Sequence, residues 1–117
     1  MIEEILLQYL SSILDVPVVL ETPKESIKNY MLFEVVDRQK TDFIDAVTVE
    51  FNSYADSKYK AALLDKQVRK SIENLIENPL ISSVEFGGGR SSGDNHDLET
   101  KKYRYRCYFN IYYYEED

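Results

Sequence analysis

A single cysteine, a single histidine and no tryptophan stand in a chain of 117 residues, and each scarcity removes a class of chemistry. Cys107 has no second cysteine with which to form a disulfide, so nothing asks for an oxidising compartment and folding inside the cell is expected. His96 alone would have to carry any histidine-based acid or base step. No apolar run approaches the roughly 20 residues that span a bilayer. The opening Met1-Ile2-Glu3-Glu4 is acidic where a secretory signal is basic, so the expectation is a protein neither exported by that route nor embedded in a membrane. Basic charge is also short, with 14 Lys and Arg against 21 Asp and Glu and a net charge of −7. Residues 1–57 hold 4 basic and 11 acidic side chains, whereas residues 58–117 hold 10 of each. That surface repels a DNA backbone and suits a basic protein partner; equally, the acidity could serve solubility alone.

What is present is a clean alternation of patterns. At 13.7 kDa, with 44% apolar and 30% charged residues, the chain has the size and composition of one folded domain over residues 1–117. Ile2, Ile5, Leu6, Tyr9, Leu10 and Ile13 form one helical stripe that should stop before Pro17. Residues 18–20 read as a short strand and residues 30–38 as a second, with Met31, Phe33 and Val35 on one face. Val47, Val49, Phe51 and Ser53 then alternate with Thr48, Glu50 and Asn52, the period of a half-buried strand. Asp56 or Ser57 is placed to cap a helix carrying Ala61, Leu64, Val68, Ile72 and Leu75 at steps of three and four. Asn78-Pro79 stops it, residues 81–86 form a weaker strand, and residues 101–114 a long closing one. There is no internal repeat. The order predicts an α+β domain: a mainly antiparallel sheet of four to five strands with two helices packed on one face.

Between the last two strands, residues 87–100 read as a polar, mobile loop that orders against a partner, with Gly87, Gly88, Gly89, Arg90, Gly93, Asp94, His96 and Asp97 as its candidate assembly residues. The loop is not a phosphate-binding one. That mechanism needs Lys and then Ser or Thr after the last glycine and a helix to follow, whereas Asp94 and Asn95 follow here and lead into a strand. Asp94, His96 and Asp97 lack a further ligand to close a metal site, so neither metal nor cofactor is expected. Cys107 lies mid-strand on the face expected to be buried, where a thiol behaves as a small apolar group. The Glu3-Glu4 and Glu115-Glu116 pairs sit at opposite ends and look like solvated termini. With no nucleophile, base or paired acid set, an enzyme is not expected.

The ten tyrosines carry more information. Alternation in the last strand puts Tyr103, Tyr105, Cys107, Phe109, Ile111 and Tyr113 on one face. Arg104 and Arg106 fall on the other, which argues against a stacking surface for single-stranded nucleic acid. That other face also carries Tyr108, Tyr112 and Tyr114, and one core does not need both faces apolar. These three tyrosines are candidate oligomer-interface residues, because tyrosine buries a large ring and keeps a polar tip; packing beneath another part of the same chain is the alternative.

The stretch V-x-V-x-F-x-S-Y-A-D-S, followed by A-A-L-L-x-x-x-V and, at Lys101 to Tyr105, by K-K-Y-R-Y, resembles the tail terminator proteins of long-tailed bacteriophages. That group includes tail-completion and minor tail proteins of prophages, and the resemblance covers most of the chain. It implies a non-enzymatic ring, typically a hexamer of the chain itself, that caps the finished tail tube and stops further subunits from adding. The ring would then offer its other face to the head-tail connector or neck proteins. It implies a place in the virion, with assembly in the bacterial host cytoplasm, and DNA that passes through the channel without specific binding. Another neck or head-closure protein, or a small α+β ligand-binding or regulatory module outside any phage, are the alternatives.

Overall fold

The computed structural model describes residues 1–25, 27–40, 43–97 and 102–114, with the backbone alone for residues 89–97 and 102. Helix α1 (Ile2–Ile13) buries Ile2, Leu6 and Leu10, and the chain turns extended at Leu14, ahead of Pro17. β1 (Val18–Val19) runs parallel to the start of β2 (Tyr30–Lys40), which pairs antiparallel with β3 (Asp45–Ala55). Helix α2 (Lys58–Glu73) follows, and Ser57 is its cap: its Oγ accepts the Lys60 backbone N–H at 3.2 Å. A 3₁₀ turn (Asn74–Glu77) leads to β4 (Ile81–Asp97), and β5 (Lys102–Tyr113) closes the chain. The sheet order is β1-β2-β3-β5-β4. The architecture is α+β, with a mostly antiparallel sheet and both helices on one face.

The core lies between that face and the helices. Phe33, Phe51 and Phe109 come from three neighbouring strands and are fully buried; Phe33 stands opposite Phe51, Phe109 lies one row along beside Val49, and the Phe51 ring centroid is 6.1 Å from each of the other two. Leu6 and Leu10 of α1 and Val68 and Ile72 of α2 close over them. Each such side chain contributes about 1.5–3 kcal/mol by leaving water. The helices are tied together by the Tyr9 hydroxyl, which donates to the Ser71 carbonyl at 2.6 Å, and α1 is tied to the sheet by Glu3, which pairs with Arg38 of β2.

One expectation fails here. Gly87, Gly88, Gly89, Arg90, Gly93, Asp94, His96 and Asp97 belong to β4 rather than to a loop; residues 98–100 lie outside the described residues. The physical reason is the length of β5, whose backbone groups beyond Phe109 toward its start need a partner. β4 supplies it by breaking register between Phe86 and Gly88 and again between Arg90 and Asn95. Glycine suits the break after Phe86, where Gly88 takes φ +98°, a conformation other residues seldom adopt.

The packing yields a prediction. Phe51→Ala should lower the unfolding free energy by about 3–5 kcal/mol, whereas Ser57→Ala should cost about 1 kcal/mol. Urea titrations of the two variants check this, and equal losses would contradict the assignment of Phe51 to the centre of the core.

Candidate functional site

With both helices on one side, the other face of the sheet carries no helix among the described residues. Antiparallel register determines which residues share it. Glu34, Glu50 and Tyr108 form one row across β2, β3 and β5; Leu32, Asn52 and Arg106 form the next; Tyr30, Tyr54 and Arg104 a third. Tyr112 lies beside Ala46 near the other end.

Polar contacts knit these rows together. Asn52 Nδ2 donates to Glu50 Oε1 at 2.9 Å, and Arg106 Nη1 lies 3.9 Å from the same oxygen. Thr48 Oγ1 donates to Asn110 Oδ1 at 2.7 Å, and Asn110 Nδ2 to Glu85 Oε1 at 3.3 Å. Tyr30 and Tyr54 stack with centroids 4.7 Å apart, and the Arg104 guanidinium stands 6.0 Å from the Tyr54 ring. The Tyr108 phenol is shifted upward, first by its hydrogen bond to Glu50 and then by burial, because ionising it would place a second negative charge beside the carboxylate.

The three tyrosines read as one interface are divided. Tyr108 and Tyr112 lie half-buried on the helix-free face. Tyr114 follows the end of β5, where its N–H donates to the Leu80 carbonyl at 2.8 Å, and it borders a depression with Met1, Glu4, Ile5 and Gln8. Tyr114 therefore belongs to the α1 end of the molecule, since the strand that would have set its side stops at Tyr113. Within β4, backbone register pairs Gly88 with Tyr108, Gly89 with Cys107, Arg90 with Arg106, His96 with Tyr103 and Asp97 with Lys102, and leaves Gly93 and Asp94 in the register break between Arg90 and Asn95.

Single-strand reasoning also missed what neighbouring strands bring. Tyr30 of β2 and Tyr54 of β3 join Arg104, Arg106 and Tyr108 of β5 on one face, adding two rings to the basic and aromatic residues that β5 itself carries. Glu34, Asp37, Glu50 and Glu85 lie on the same face and outnumber the two described arginines, which works against phosphate binding. A depression near Asp37, Thr48, Asn110 and Tyr112 measures about 200 Å³, below the roughly 300–1,000 Å³ of a small-molecule site.

On the covered face, a second feature unread in the sequence is a buried ionic knot. Asp65 is 5% exposed within the apolar stripe of α2, and its Oδ2 lies 2.8 Å from Arg69 Nε. The Arg69 guanidinium sits 5.0 Å from the Phe86 ring, which meets Phe109 edge-on. The legible signal was a carboxylate next to Leu64, with an arginine four residues on. Burial pushes the Cys107 thiol up to about 12, and the nearby Asp65 charge adds to the rise. A thiol held there supplies no thiolate near neutrality. Burial likewise raises the Asp65 carboxyl above its ordinary value, with Arg69 opposing the rise.

Compared with known proteins, the chain matches no protein-family model and no curated protein.

Two outcomes follow from the knot. Cys107 should resist a thiol reagent at pH 8 in the native protein and react fully in urea; fast labelling of folded protein would show an open thiol. Asp65 binds its proton more tightly folded than unfolded, so its contribution to stability is present below the ordinary carboxyl range and is lost as pH rises through the raised folded value. Asp65→Asn should flatten that part of the curve, read as urea midpoints from pH 3 to 7. An unchanged pH profile would remove the titration from Asp65.

Proposed function

We propose that this chain is a virion assembly protein of the tail-terminator type, which caps the end of a phage tail tube, stops its polymerisation and presents the joining surface to head or neck proteins. The observation that carries this reading is the half-covered sheet. One face is sealed by two helices, while the other presents Tyr108, Tyr112, Tyr54 and Leu32 among charged groups, with no helix above it among the described residues. A sheet face with large amphipathic rings and paired charges suits contact with protein rather than with a small ligand.

Several further features support assembly. Beyond Leu32, the outer edge of β2 has no strand beside it among the described residues, and β4 forms the other edge of the sheet. The covered face commits its cysteine and its buried aspartate to packing, as expected of a scaffold. The working form in this proposal is a homo-oligomeric ring, a hexamer by resemblance to the family. Its partners are the tail tube protein on one side and the head-tail connector or neck proteins on the other. The acidic excess of residues 1–57 fits a channel through which DNA passes without being held. The site of action is the virion, reached after assembly in the host cytoplasm.

Purified protein added to polymerising tube subunits should arrest growth and leave a ring at the tube end in electron micrographs. Tubes of unchanged length without rings would overturn the proposal. Capture by connector protein but not by tube protein would instead assign the chain to the neck.

A further inference from the structure

The helix-free face and the outer side of α2 complement one another, yet the sheet itself stands between them. On α2, Tyr59, Leu63, Lys66 and Lys70 recur at steps of four, three and four, which places them on one ridge. The buried residues Ala61, Leu64, Val68 and Ile72 occupy the opposite side of the helix. Tyr59 is 75% exposed and Leu63 43%, an apolar pair on a helix side that nothing in the fold requires to be apolar. Lys66 and Lys70 continue the ridge with exposed positive charge, and Glu73 lies near its end.

Across the molecule, Glu34 and Glu50 are directly opposite each other on β2 and β3. Two carboxylates in a cross-strand pair repel, and Arg106 approaches only the Glu50 side, at 3.9 Å. Glu34 is exposed, and Asp37 stands exposed one row away. Leu32 and Tyr108 lie beside this acidic patch. A cation delivered from outside would relieve the repulsion, and an apolar ridge would cover the half-buried rings.

We infer that the Tyr59-Leu63-Lys66-Lys70 ridge of one copy packs onto the Leu32-Glu34-Glu50-Tyr108 face of the next, with Lys66 and Lys70 over the acidic patch. The occupant is a second copy because this chain holds both halves of the match and cannot join them within itself. Such a contact is head-to-tail: it uses two different surfaces of each copy, so it propagates and closes into a ring when successive copies rotate. It also gives the sheet a second helical layer, which the described residues of one copy do not supply, as in domains with helices on both faces. The inference rests on the assembly reading above and specifies its self-contact.

Charge exchange tests it, using positions that are all exposed so that folding is spared. Lys66→Glu with Lys70→Glu forms one variant, and Glu34→Lys with Asp37→Lys the other. Each alone should self-associate at least tenfold more weakly than the parent by sedimentation, with an unchanged thermal midpoint. Mixed in equal amounts, they should recover the parent's oligomer mass, since each then offers the surface that the other needs; the four changes combined in one chain should recover it too. A parent that stays monomeric at every concentration, single variants that keep the parent mass, or a mixture that fails to recover would each overturn the inference. The tube assay separates this from the broader reading. Variants that still form rings and arrest tubes would remove only this contact. Charge-dependent rings that leave tube growth untouched would keep the contact and remove the tail function.

Discussion

β3 is paired along both edges, with β2 on one side and β5 on the other, and its alternation sets the chemistry of each face. Val47, Val49 and Phe51 point to the helices, so Thr48, Glu50 and Asn52 must point away. Because the period is two, a slip of one residue would send Phe51 to solvent and Glu50 into the core, so burial locks the register. That lock aligns Phe33 with Cys107 through Phe51, and Val35 with Phe109 through Val49, on one side, and Glu34 with Tyr108 through Glu50 on the other. The core and the polar face are therefore two products of a single pairing pattern.

The two faces use their ionisable groups differently. On the covered side, Asp65 and Arg69 neutralise one another beneath α2 while Phe86 stacks on the guanidinium, and burial holds Cys107 as a thiol. Breaking such a pair leaves an uncompensated charge, so the knot is costly to disturb. On the helix-free side, Glu50 shares its carboxylate among Asn52, Arg106 and Tyr108, while Glu34 opposite it is open to solvent. Part of the acidic excess of residues 1–57 is thereby gathered on one surface, where it acts on whatever approaches the sheet.

Most of the framework was legible because periodicity reports which side of an element is buried. The stripe from Ile2 to Leu10, the alternation around Phe51, a cap at Ser57, one of the two residues placed for it, and the odd face of β5 all appear where local pattern put them, whereas Ile13 at the end of the stripe is exposed and Leu14 is buried in its stead. The stretch from Gly87 to Asp97 was misread for a physical reason. Glycine and polar residues have weak strand preference, but a long partner strand can hold them through backbone hydrogen bonds, with bulges absorbing the surplus residues. Tyr114 was misplaced because alternation carries no information past the end of a strand.

Sequence alone determined the α+β class, the central strand-helix unit and the separation of β5 into an apolar face and a mixed one, since each depends on residues near one another along the chain. Only the tertiary structure decided which tyrosines stand beside Arg104 and Arg106, that Glu34 opposes Glu50, and that Asp65 and Arg69 meet Cys107 and Phe86. Those juxtapositions depend on register between strands distant in sequence and on where α2 crosses the sheet. No local spacing encodes either, because both are settled by how the whole core closes.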